Sequence, residues 1–157
     1  MLSSCQQERQ RLEQQKGPQR RHRQHAHAHL FENKELHSLY FGGGTPSLLT
    51  PAQIDKIISK IQKLNLSWHP EIEVTMEVNP ATLNKHKLRS FIASGINRMS
   101  IGCQTFDDEA LKDCNREHDS NDTVKTIELV SDHLENFSLD LLFSLPKQCQ
   151  TIQYVHV

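Results

Sequence analysis

The sequence predicts an α/β fold in which about four parallel strands are joined by crossover helices. Ile72, Val74, Met76 and Val78 alternate with Glu73, Thr75 and Glu77, which is the period-two pattern of a strand. Ile54, Ile57, Ile58, Ile61 and Leu64 recur instead at helical spacing and make one apolar face that must pack on something. The two patterns take turns along the chain. Strands separated by helices pair in parallel through right-handed connections.

Taken in order, Leu39-Tyr40-Phe41 is a short apolar strand that runs into Gly42-Gly43-Gly44. Thr50-Pro51-Ala52-Gln53 reads as a capping box with Pro51 at the first helical position, and it opens the isoleucine-faced helix. Trp68, before His69-Pro70, is expected to anchor a packed loop. Asn79-Pro80 ends the second strand. Thr82 is expected to cap a helix with apolar positions Leu88, Phe91 and Ile92, and Gly95 to stop it. Met99, Ile101 and Cys103 alternate with Ser100, Gly102 and Gln104 in a third strand, which makes Cys103 a core residue. A short helix from Asp108 and a longer one around Val124, Ile127 and Val130 lead to the fourth strand. There Phe137, Leu139, Leu141 and Phe143 alternate with Ser138 and Asp140. Periodicity leaves open whether the sheet stays flat or curls toward a barrel.

With 157 residues the chain can hold one domain and one core of ordinary size. Hydrophobic residues make up 36%, charged residues 24%, and the net charge is -1. A balance so near neutral gives no electrostatic footprint for nucleic acid. The sequence has no long apolar run for a membrane span and no apolar stretch near its start for a secretory signal. Cys5, Cys103, Cys114 and Cys149 are scattered, without metal-ligand spacing, and read as reduced thiols.

Residues 1–30 are rich in Gln, Arg and His and poor in large apolar side chains. Such a segment cannot bury enough surface to offset its ordering entropy, so a disordered tail is expected, with folded structure from about Leu36. Its basic, acid-poor character is compatible with mitochondrial targeting, although an apolar helix face is missing. His22, His25, His27 and His29 lack any visible supporting scaffold and read as a solvated polar cluster rather than a metal site.

In α/β folds, ligands sit at the C-terminal ends of parallel strands. Gly42 to Pro46 follow the first strand, Glu77 and Gln104 close the second and third, and Asp140 lies in the fourth. By parity Glu77 shares a face with Glu73 and Thr75, Gln104 with Ser100 and Gly102, and Asp140 with Ser138. Such a face suits a cavity for a polar ligand or a solvent-exposed sheet surface, and parity does not choose. The glycine run lacks the Gly-Lys-Ser/Thr of a P-loop and the GxGxxG of dinucleotide binders. Alone it would more often be a tight turn than a cofactor site.

The strings YFGGGTPSLL, EVNP, GINRMSIGCQTFDDEALKDCNREHD and DLLFSLPKQ occur in one order. Between Leu36 and Gln148 they resemble the oxygen-independent coproporphyrinogen oxidase-like radical SAM family, and within it the HemW-like haem chaperones. Oxidases of the family typically carry Thr where Ser47 stands. The resemblance implies a partial radical SAM (β/α) barrel over residues 36–148, followed by a divergent end at 149–157. It implies S-adenosylmethionine with its amino end near Gly43, Gly44 and Thr45, and with further contacts from Glu77, Gln104, Arg116 and Asp140. It also implies haem and client haemoproteins as partners, a mitochondrial location, and a 4Fe-4S cluster as family cofactor.

Several departures accompany the resemblance. The cluster-binding CxxxCxxC loop is expected upstream of Leu36, and no such triplet occurs in the sequence. This chain alone is therefore expected to lack catalysis and to bind S-adenosylmethionine weakly. Ser144-Leu145-Pro146 stands for Gly-Leu-Pro, and Asn115 stands where Gly usually precedes Arg-x-His. By the resemblance this chain supplies the second through fifth barrel strands and is expected to lack the first and sixth, so Leu39–Phe41 and Phe137–Phe143 are expected to be uncovered edges that promote self-association. His118 is read either as a haem ligand or, more readily, as a surface histidine at a helix junction.

Overall fold

In the computed structural model, residues 34–143 apart from 65, together with 145, are described. The tail at 1–30, its histidines, Cys5, Cys149 and the end at 149–157 lie outside the described residues. One four-stranded sheet is formed by β1 (Glu35–Phe41), β2 (Ser67–Val78), β3 (Arg98–Gln104) and β4 (Phe137–Leu141), in the order β1-β2-β3-β4. All neighbours are parallel. The crossovers carry α1 (Pro51–Gln62), α2 (Lys85–Ala93), α3 (Asp108–Asp113) and α4 (Ser120–Ser131).

Local chemistry accounts for most helix ends. Thr50 closes a capping box with Gln53 at the start of α1, and Asp119 does the same with Asp122 at the start of α4. Gly95 ends α2 as expected: its N–H reaches Ile92 O and the next N–H reaches Phe91 O, the paired bonds of a Schellman stop. The cap of α2 differs from the expectation. Asn84, not Thr82, accepts the Lys87 N–H, at 2.9 Å. Pro80 starts a short 3-10 turn, Pro80–Thr82, and this turn occupies Thr82 before α2 begins.

Two further expectations are corrected. Trp68 lies within β2 rather than in a loop, partly buried against the core. The fourth strand stops at Leu141, and Phe143 lies beyond it at 89% exposure. Gln104 leaves β3 with φ +66, so the bond from Leu142 N–H to Gln104 O, at 2.8 Å, is the last that β3 offers.

Alternation divides the sheet into two unlike faces. Val74, Met76 and Val78 of β2 and Met99 and Ile101 of β3 are buried with Ile54, Ile58, Leu88, Phe91, Ile127 and Val130 from three helices. Each such side chain contributes about 1.5–3 kcal/mol relative to exposure. Cys103 belongs to this buried side and is 0% exposed. The α1 face is narrower than its sequence suggested, with Ile57 and Leu64 exposed. The opposite sheet face carries Thr75, Glu77, Arg98, Ser100, Ser138 and Asp140, aligned by the register Thr75↔Arg98 and Glu77↔Ser100↔Ser138.

Candidate functional site: a cleft at the strand ends

The polar face opens at the carboxyl ends of the strands into a cleft of about 250 Å³. Gly44, Thr45, Glu77, Gln104, Arg116 and Asp140 line it, with Ser100, Gly102 and Asn79 between them. Gly43 does not line the cleft, and its part is to hold the loop. Gly43 and Gly44 have φ +83 and +67, and an added Cβ at either would meet open space. Backbone conformation, not crowding, therefore requires glycine there. The turn brings the Gly43 N–H to Glu77 Oε2, at 3.2 Å.

Glu77 is held from a second side. The Tyr40 hydroxyl donates to Glu77 Oε1 at 3.1 Å. A Cβ on Gly42 would stand 2.8 Å from the Tyr40 ring and 3.0 Å from Glu77 Oε1, so this contact depends on glycine. Partial desolvation, followed by the Glu77 hydrogen bond, raises the Tyr40 phenol above its ordinary value. Behind the loop, fully buried Ser47 joins Thr82 Oγ1 at 2.6 Å and accepts the Asn79 N–H at 3.1 Å. Lys87 Nζ donates to the Ser47 carbonyl, and desolvation lowers its ordinary value. These bonds fasten the loop after β1 to the loop after β2.

Asp140 is oriented by Ser100, whose Oγ lies 2.8 and 3.0 Å from the two carboxylate oxygens. Ser138 Oγ sits 3.3 Å from Ser100 Oγ and accepts from Arg98 at 2.9 Å. Arg98 also reaches Thr75 Oγ1 at 3.4 Å, and its Nε lies 3.7 Å from Glu73 Oε2. The polar face is thus one connected network from Glu73 to Asp140, which offsets the cost of covering charged groups.

Gln104 and Arg116 enter the cleft from strained or capped backbone. Gln104, with φ +66, occupies a conformation that costs a non-glycine residue about 1–3 kcal/mol and gathers at functional sites. Arg116 follows α3 through a Schellman stop: Asn115 N–H bonds Lys112 O at 3.0 Å and Arg116 N–H bonds Leu111 O at 2.9 Å. Asn115 has φ +54, the left-handed position where glycine is favoured and Asn is tolerated.

His118 is neither of the things its sequence context suggested. It is 3% exposed, its Nε2 is 3.4 Å from the Cys103 carbonyl, and its Nδ1 is buried without a hydrogen-bond partner. A surface reading fails, and so does an accessible haem ligand in this arrangement. Burial, then the Asp140 charge, pushes the Cys103 thiol up to about 11.

Tyr40, Arg98 and the anchoring role of Ser100 were not legible in the sequence. Tyr40 pairs with Thr75 and so belongs to the polar face, but it sits inside an apolar triplet. Arg98 pairs with that same Thr75, one step outside the strand limits that alternation suggested.

The sequence model for the radical SAM superfamily matches residues 5–149, reaching upstream of the span in which the motifs lie. The chain belongs to the radical SAM superfamily, and its four parallel strands correspond to part of that family's (β/α) barrel. Within it, similarity runs to HemW and to oxygen-independent coproporphyrinogen oxidases. The haem chaperone HemW of Buchnera aphidicola subsp. Schizaphis graminum is 38% identical over 120 residues, covering 76% of this chain and 31% of that protein. HemW of Escherichia coli is 34% identical, over 74% of this chain and 31% of that one. The solved coproporphyrinogen III oxidase HemN of Escherichia coli, a radical SAM enzyme, aligns with TM-score 0.69 and 31% identity, over 77% of this chain and 28% of that one. The chain therefore spans about a third of the length of these relatives. No helix among the described residues is long and apolar enough to cross a membrane.

Proposed function

We propose that the cleft is an S-adenosylmethionine site and that the chain serves a HemW-like protein, which holds haem and passes it to client haemoproteins. The observation that carries the first part is the convergence of Gly44, Thr45, Glu77, Gln104, Arg116 and Asp140, drawn from separate strands and loops, on one cleft. The donor set suits the ligand. Arg116 can take a carboxylate in a two-pronged hydrogen bond. Glu77 and Asp140 keep free lone pairs for hydroxyl or ammonium protons beyond those already engaged. Gly44 and Thr45 present backbone beside the ligand's amino end, and Gly43 holds the loop that carries them.

Bound S-adenosylmethionine supplies radical chemistry only in company with a reduced iron–sulfur cluster. The two described cysteines do not fit such a cluster. Cys103 is buried with a raised thiol, Cys114 lies on a separate element, and no CxxxCxxC occurs in the 157 residues. Binding and orientation of the cofactor are what the residues of the cleft supply.

The haem part rests on similarity to proteins named HemW. The competing reading, oxidation of coproporphyrinogen III, draws on the solved oxidase and on the similar oxygen-independent coproporphyrinogen III oxidase of Helicobacter pylori. Titration of the chain with haemin separates them. A saturable Soret shift without consumption of coproporphyrinogen III, after anaerobic incubation with iron, sulfide, dithionite and S-adenosylmethionine, supports the haem-handling reading. Porphyrinogen consumption with release of 5′-deoxyadenosine would overturn it.

A further inference from the structure

The opposite, N-terminal end of the sheet holds a second cluster that the cleft does not use. β1 and β2 pair as Leu36↔Trp68 and then as Ser38↔Glu73. Between these pairs His37 alone stands across from His69-Pro70-Glu71-Ile72. Pro70 has no N–H to give a ladder, and the surplus residues loop out as a bulge. Bulges re-aim side chains, and this one brings the His69 ring over His37, with centroids 4.5 Å apart and planes at 30°. Glu35, two residues before His37 on the same strand face, sets its Oε2 3.1 Å from His37 Nε2. One donor atom from each of Glu35, His37 and His69 lies within 4.8 Å of the others.

We propose that Glu35, His37 and His69 form a binding site for a zinc-class divalent ion, which clips β1 to β2 where their ladder is broken. Two imidazoles and one carboxylate are a donor set for a borderline ion and leave one tetrahedral position for water. Hard ions such as magnesium prefer oxygen alone, so the histidines select against them. The contact between Glu35 and His37 alone does not account for the convergence. The Glu35 and His37 side chains are 46% and 64% exposed, so their attraction is screened and weak by itself. His69 Nδ1 accepts the Glu71 N–H at 3.1 Å, and ligation costs that one exposed hydrogen bond, through either a tautomer change or direct displacement.

The site is independent of the cleft, which lies at the other end of the same strands. His22, His25, His27 and His29 precede it in the sequence and can bind metal on their own account, so the test removes them. The full chain carrying His22→Ala, His25→Ala, His27→Ala and His29→Ala is titrated calorimetrically with zinc chloride, and its melting is followed with and without zinc. One ion per chain and a raised melting temperature are expected. His37→Ala, His69→Ala and Glu35→Gln on that background each weaken binding by about tenfold or more. Cobalt substitution is expected to give visible d–d bands that His69→Ala abolishes. Absence of saturable zinc binding overturns the proposal, and so does binding unchanged by His69→Ala. If His37→Ala does not fold, the near-isosteric Glu35→Gln decides: unchanged affinity there also overturns it.

Discussion

Gly43 gives its backbone N–H to Glu77 Oε2 across 3.2 Å, while Tyr40 donates to the other oxygen of the same carboxylate at 3.1 Å. One side chain from β2 thereby fixes both the end of β1 and the loop that follows it. Hydrogen bonds to a charged group contribute about 1.5–3 kcal/mol each, enough to decide the loop's geometry. Glu77→Ala is expected to leave the fold intact and weaken S-adenosylmethionine binding by about tenfold or more. Gly42→Ala pushes Tyr40 off the same carboxylate, so the double variant should be less than additive. Calorimetric titration of both single variants and the double variant checks this, and strict additivity would separate the two residues.

Asp108 predicts a pH dependence. Its Oδ1 accepts the Ser120 N–H at 2.8 Å at the start of α4. That backbone hydrogen bond, with the Ser120 hydroxyl after it, holds the Asp108 carboxyl below its ordinary value. A depressed folded value stabilises the fold above the unfolded value, and the contribution is lost as pH falls through the folded value. Asp108→Ala should unfold at lower denaturant concentration than the parent at neutral pH. The gap should close as pH falls below the ordinary carboxylate range. A gap that persists in acid would point to packing instead.

The two described cysteines should react differently. Cys103 is fully buried with its thiol pushed up to about 11, whereas Cys114 is partly exposed. Iodoacetamide at about pH 8 should label Cys114 in the native state and spare Cys103 until denaturant is added. Peptide mass mapping reads the order, and equal labelling would mean that β3 opens readily.

Among the described residues β1 and β4 are sheet edges, and Leu141, Leu142 and Phe143 are exposed beside the second. Unpaired backbone next to apolar side chains templates pairing with other chains. Concentration-dependent self-association is therefore expected in sedimentation velocity, and Phe143→Lys should reduce it. A stable monomer at high concentration would mean that the edges are covered.

How much the sequence revealed follows from how far each signal reaches. The Thr50 capping box, the Gly95 stop and the period-two strands are written within a few residues, and all stand in the structure. Parity along single strands was enough to group Glu77 and Asp140 on one face, because side-chain alternation needs no knowledge of neighbours, whereas Gln104 lines the same cleft from a left-handed backbone after a register break. The misses are non-local. Asn84 displaced Thr82 as a cap because a turn set by Pro80 consumed Thr82. His118 sits in the polar run Arg116-Glu117-His118, yet it is buried against β3, fifteen residues upstream. The convergence of His37 and His69 depends on a register break visible only once the strands are paired.

The proposed S-adenosylmethionine site draws its residues from separate strand ends. Equilibrium titration of the full chain with S-adenosylmethionine, beside Asp140→Asn and Arg116→Ala, tests it most directly. Weak, saturable binding of one molecule per chain is predicted, reduced about tenfold or more in each variant, with far-UV circular dichroism unchanged. Binding of equal strength in the parent and both variants, or no saturable binding in the folded parent, would contradict it.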